Sequence, residues 1–138
     1  MAKSRSLCTC FVVLVLTVGL LSLEARSDNP AGAWTMVRYE GQASHGVATG
    51  LLLLADGHFS LTYTMDEAGQ RWGRAHAGSY SINGDRLMFH VGWSMEYVAG
   101  KPSVAVKTSD RDTTFALAND TLTITFSSGS VQTFRRAN

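Results

Sequence analysis

His76 and His90 are the residues of this 138-residue chain best suited to chemistry, because each sits in an apolar, strand-like stretch. An imidazole near neutrality can act as general acid or base, with Tyr63, Tyr80 or Glu96 as candidate partners. Arg38 is a second candidate. A guanidinium on a cavity wall is a natural anchor for a carboxylate or another oxyanion, whereas in water it would simply pair with Glu40. The four histidines, at 45, 58, 76 and 90, do not form a metal-ligand spacing, and no metal or cofactor is expected. Asp66-Glu67 and Asp110-Arg111-Asp112 read as solvated charge in turns.

These residues need a scaffold, and the N-terminus is not part of it. Lys3 and Arg5 precede an apolar run from Phe11 to Leu23, and Ala25-Arg26-Ser27 offers small residues at a cleavage point before Asp28. That is the layout of a secretory signal over residues 1–27, with an uncleaved membrane anchor as the rival. Cys8 and Cys10 leave with it, so the exported chain, Asp28–Asn138, carries no thiol for catalysis or zinc. The full chain has a net charge of +1 and the exported part is close to neutral. Without a basic run there is no electrostatic case for nucleic acid or, after cleavage, for a membrane. A secreted or periplasmic single domain of unknown oligomeric state is expected.

From Ala33 onward the chain is written in period two. Nine strands are predicted: 33–40, 47–55, 59–65, 71–82, 86–98, 103–108, 113–118, 121–126 and 130–136. Asp56-Gly57, Asn83-Gly84 and Ser128-Gly129 punctuate them. Pro102 argues for a break between Trp93 and Lys107. No segment carries a helical apolar stripe. The expected fold is all-β, an antiparallel up-and-down barrel of about 8–9 strands over residues 28–138.

Facing follows from alternation. Gly32 and Trp34 on the first strand, with an arginine from the last stacked on the ring, would close the floor. A two- or four-residue final loop puts Leu122, Ile124, Phe126, Val131 and Arg135 on one face and selects Arg135 for Trp34; a three-residue loop selects Arg136. If Trp34 faces inward, alternation sends Met36, Arg38 and Glu40 inward too. A two-residue turn at Asn83-Gly84 puts His76, Gly78, Tyr80 and Ile82 on a face with Leu87, Phe89, Val91 and Trp93. His90 then points outward, and a three-residue turn would bring it inside.

Gly32-Ala33-Trp34-Thr35-Met36-Val37, Gly50–Ser60, the Gly78–Asp85 hairpin and the Asp120–Ile124 and Thr133–Arg136 ending together resemble bacterial lipocalin-like domain proteins. The resemblance implies a calycin-type barrel around a cavity for a small apolar molecule, and transfers no catalytic set. Similar hairpins often carry a histidine near position 90, which implies a role for it. A carrier of a small hydrophobic ligand is therefore expected, with Arg38, Tyr63, His76, Tyr80, Phe89 and Trp93 as ligand-facing residues. The alternatives are a cofactor-independent cyclase or isomerase using His76 or His90, and a protein-binding or inhibitor module acting through an exposed aromatic patch around Trp93–Val98.

Overall fold

A computed structural model describes residues 29–41, 45–67, 69–98, 101–105 and 108–138. The proposed signal segment and its cleavage point lie outside the described residues. The described residues form ten strands: β1 (Gly32–Glu40), β2 (His45–Gly46), β3 (Ala48–Ala55), β4 (His58–Glu67), β5 (Gln70–Asn83), β6 (Arg86–Val98), β7 (Lys101–Ala105), β8 (Ser109–Ala118), β9 (Thr121–Phe126) and β10 (Val131–Arg136). Eight of them form the antiparallel meander β1-β3-β4-β5-β6-β8-β9-β10, which closes because β10 pairs with β1. The short β2 and β7 are appended to β1 and β6. The structure is thus an all-β, closed, eight-stranded barrel consistent with a calycin-type fold.

The hairpins follow from their turn residues. Asp56 and Gly57 both have positive φ, 49° and 74°, as a two-residue turn between Ala55 and His58 requires. The β5–β6 turn is Gly84-Asp85, between Asn83 and Arg86, one residue later than expected but with the same facing.

Inward side chains fill one end. Trp34, Leu52, Leu54, Leu87, Leu122, Ile124 and Phe134 are essentially inaccessible to solvent. Trp34 donates its indole N–H to the Pro30 carbonyl at 2.7 Å, so its polar atom is satisfied in the core. The guanidinium over the ring, 4.2 Å from its centroid, is that of Arg136 and not Arg135. The reason is the final loop. Phe126 and Ser130 pair, leaving the three residues 127–129 as the turn, with Gly129 at φ +84°. Val131 therefore faces Thr125, and Gln132 and Phe134 turn inward with Ile124 and Leu122. Gly32 completes the closure. Its φ of +135° disfavours any L side chain, and a Cβ there would lie 3.0 Å from Arg136 Nη1. The backbone seals the same end through Ala137 N–H to Ala33 O and Arg136 N–H to Asp120 O, both at 2.9 Å.

Two bulges break the alternation. Between Met36 and Arg38 an extra residue in β1 shifts its register against β10. Arg38 is thereby turned outward, where its Nε meets Glu40 Oε1 at 2.7 Å, and Tyr39 faces in. In β6, Val91 pairs with Gly78 and Trp93 with Ala77, leaving Gly92 as the extra residue. A Cβ at Gly78 would collide with the His90 carbonyl oxygen, so glycine is required opposite this bulge. Trp93 consequently lies on the outer face, 43% exposed, rather than inside.

Replacing Trp34 by alanine should cost about 3–5 kcal/mol in a denaturant titration, as for other large-to-small changes in a core. Arg136→Ala should cost on the order of 1 kcal/mol and Arg135→Ala within about 0.5 kcal/mol. Equal effects of the two arginines would contradict the assigned stacking.

Candidate functional site

The barrel is plugged at the Trp34 end and open at the other. There the strands and the β9–β10 turn, through Ser128 and Ser130, line a cavity of about 70 Å³ that opens to solvent on one side. Its inner wall is apolar. Phe59 and Phe89 meet edge to face at 4.7 Å, and Leu61 and Val91 continue the wall outward. Nearer the mouth it turns polar, with Tyr39, Tyr63, Arg74, His76, Arg111 and Gln132.

Each polar residue is delivered by a local feature of its strand. The β1 bulge sends Tyr39 inward, where it stacks on Tyr63 at 6.0 Å and meets the edge of Trp72. The β6 bulge brings Glu96 into pairing with Arg74. Glu96 Oε1 accepts from Arg74 Nε at 3.0 Å and Nη2 at 2.9 Å, and the guanidinium lies 5.3 Å from the Trp72 ring centroid. Arg111 comes from β8, which begins at Ser109 and not at Thr113 as its apolar residues imply. The Asp110-Arg111-Asp112 run is therefore strand, not turn. The pleat sends its two carboxylates outward, Asp110 to His90 Nδ1 at 2.8 Å and Asp112 to Arg86, while Arg111 lines the cavity.

Burial shapes the titration of this cluster. Burial foremost pushes the His76 imidazole down to about 4, and the charges of Arg111 and Arg74 act in the same direction against Glu96. His76 is therefore neutral at physiological pH. Its Nδ1 and the Oε1 of Gln132 are buried without a hydrogen-bond partner. Burial raises the Tyr63 phenol to about 12 in spite of Arg74, so it remains a neutral O–H.

Of the residues the sequence nominates, Tyr63, His76 and Phe89 line the cavity, and Arg38, Tyr80 and Trp93 do not. Arg38 and Trp93 are displaced by the two bulges. Tyr80 is half-buried against the core and lies toward the closed end, where its N–H bonds the Gly57 carbonyl. His90 lies outside the barrel, as its register predicts. Arg74, which alternation puts on the face of His76 and Trp72 beside a ligand, and Tyr39, an aromatic suited either to line a pocket or to fill the barrel, also line the cavity; Arg111 and Gln132 line it without a mark in the sequence beyond the Asp-Arg-Asp alternation, which sets one charge opposite its two neighbours. Among the described residues no cluster of three or more His, Cys, Asp or Glu is placed to hold a metal ion. On the outer face Trp93, Met95 and Tyr97 form a partly exposed stripe beside Gly73 and Ala75. The chain matches no protein-family model, no curated protein and no solved structure.

The His76 shift carries a sign. An imidazole whose folded pKa is depressed binds its proton first in the unfolded chain. Folding stability is therefore lost as pH falls from about 6.5 toward about 4, where the folded form also titrates. Wild type should lose unfolding free energy across that window relative to His76→Gln, a difference reduced by the partial solvent access of the ring. Parallel stability–pH curves for the two proteins would contradict a buried neutral His76.

Proposed function

We propose that this protein is an exported lipocalin-like carrier that takes a small, largely apolar molecule into the open half of its barrel. The observation supporting this reading is the cavity: a continuous apolar wall of Phe59, Leu61, Phe89 and Val91 under a polar mouth. Ligand sites generally combine those two features. The cavity is smaller than the roughly 300–1,000 Å³ of drug-sized pockets. The ligand is accordingly a molecule of few atoms, or one whose polar end protrudes from the mouth. Membership of the bacterial lipocalin-like family rests on the motif resemblance together with the closed barrel, and export rests on the composition of residues 1–27.

The carrier reading is favoured over catalysis by the state of the histidines. His76 inside the cavity has a pKa of about 4, low for a base working at neutral pH, and its Nδ1 is held by neither tyrosine nor carboxylate. His90 does meet a carboxylate, but on the exposed outer face, away from any enclosed site. The stripe of Trp93, Met95 and Tyr97 favours a second reading, docking of another macromolecule on the barrel wall.

Native mass spectrometry of the exported protein should show a chain beginning at Asp28 that retains a small hydrophobic compound. Val91→Phe, which fills the cavity, should abolish uptake of an apolar fluorescent probe while costing about 1–3 kcal/mol of stability by overpacking. Undiminished probe binding in a folded Val91→Phe protein would place the ligand elsewhere, and a chain retaining residues 1–27 would contradict export.

A further inference from the structure

The polar groups at the mouth differ in what they have left to bond. Arg74 is committed, with two N–H groups on Glu96 and its plane beside Trp72. Arg111 makes no ion pair among the described residues. Its two neighbours, Asp110 and Asp112, cannot neutralise it, because alternation holds them on the opposite face of β8 in ion pairs with His90 and Arg86. The charge of Arg111 acts instead on His76 and Tyr63 across the cavity. With Arg74 offset by Glu96, the described residues of the mouth carry one uncompensated positive charge.

Two further groups point to the same ligand. Gln132 is 96% buried by its residual exposure of 4%, and its Oε1, which can only accept, has no donor. His76 Nδ1 is likewise unpartnered and, in the tautomer that protonates it, donates. A buried polar atom without a partner costs about 1–3 kcal/mol, which a ligand recovers by completing the bond. One free cation and one imidazole N–H call for an anionic acceptor. Gln132 Oε1 calls for a donor on the same molecule. A dianion such as phosphate would exceed the single free charge and face Glu96, whereas one carboxylate matches it.

We propose that the ligand is a small hydroxy- or amido-carboxylic acid, its carboxylate held by Arg111 and His76, its hydroxyl or N–H donated to Gln132, and its short apolar body lying on Phe59, Leu61, Phe89 and Val91. This rests on the carrier reading and names the class of cargo. These seven residues come from β4, β5, β6, β8 and β10, so only the closed barrel assembles them.

Titration calorimetry of the exported protein with hexanol, hexanoate and α-hydroxyhexanoate separates the parts. The acid should bind roughly tenfold or more tightly than the alcohol, as one charge-assisted hydrogen bond provides. The hydroxy acid should bind more tightly still. Arg111→Gln, at an exposed position, should bring hexanoate down to the level of hexanol and leave hexanol unchanged. Gln132→Leu should remove only the advantage of the hydroxyl, with folding of both variants checked by circular dichroism. Equal binding of alcohol and acid, or an Arg111→Gln variant that retains the preference, would overturn this inference and leave the carrier reading standing. Uptake of none of the three by the folded wild type would overturn both.

Discussion

A sheet that closes on itself must satisfy its first and last strands against each other, and the pairing of β1 with β10 is the constraint on which this molecule depends. Six Cα partners, from Trp34–Arg136 to Glu40–Val131, run along that seam. Trp34 fixes its lower end, because a fully buried indole with its N–H satisfied by Pro30 leaves little choice of depth or rotation. Arg136 then covers the ring from the outside, in space that a side chain at position 32 would contest. Closure removes both sheet edges. It also brings Tyr39 from β1 and Gln132 from β10 to the same mouth, so cavity and seam stand or fall together.

The character of the mouth comes from two single-residue interruptions. Strict alternation would line the cavity with Arg38, Glu40 and Trp93. The bulge in β1 substitutes Tyr39, and the bulge in β6 substitutes Ser94 and Glu96 on the inward parity. The first places an aromatic against Tyr63 and Trp72. The second supplies the carboxylate that neutralises Arg74, leaving Arg111 as the cavity-lining cation without an ion pair among the described residues. A bulge is thus the device by which a regular barrel acquires an irregular, chemically differentiated rim.

How much of this is legible in the sequence depends on the range over which period two holds. Strand spans from Arg86 to Val98 and from Thr121 to Phe126 match the structure, and the facing of Tyr63, His76, Phe89 and His90 follows from alternation alone. Arg38 and Trp93 fail together and for one reason: an inserted residue inverts everything beyond it, and nothing around Val37 marks the insertion in β1. Gly92 within an otherwise strong strand was the available clue, since glycine there weakens pairing and commonly marks a bulge. Arg135 against Arg136 turned on whether the final loop holds two, three or four residues, which Ser127–Ser130 does not decide until Gly129 is seen with positive φ. Arg111 is hidden in the sequence because Asp-Arg-Asp reads as turn chemistry until its exterior partners, His90 and Arg86, are in place.

The central claim is the closed seam, and cross-strand nuclear Overhauser contacts test it most directly. The account predicts contacts between the backbones of Met36 and Phe134 and between the Trp34 indole and the Arg136 side chain, as strong as those across the β4–β5 hairpin. A spectrum with the hairpin contacts intact and none between β1 and β10 would describe an open sheet and contradict it.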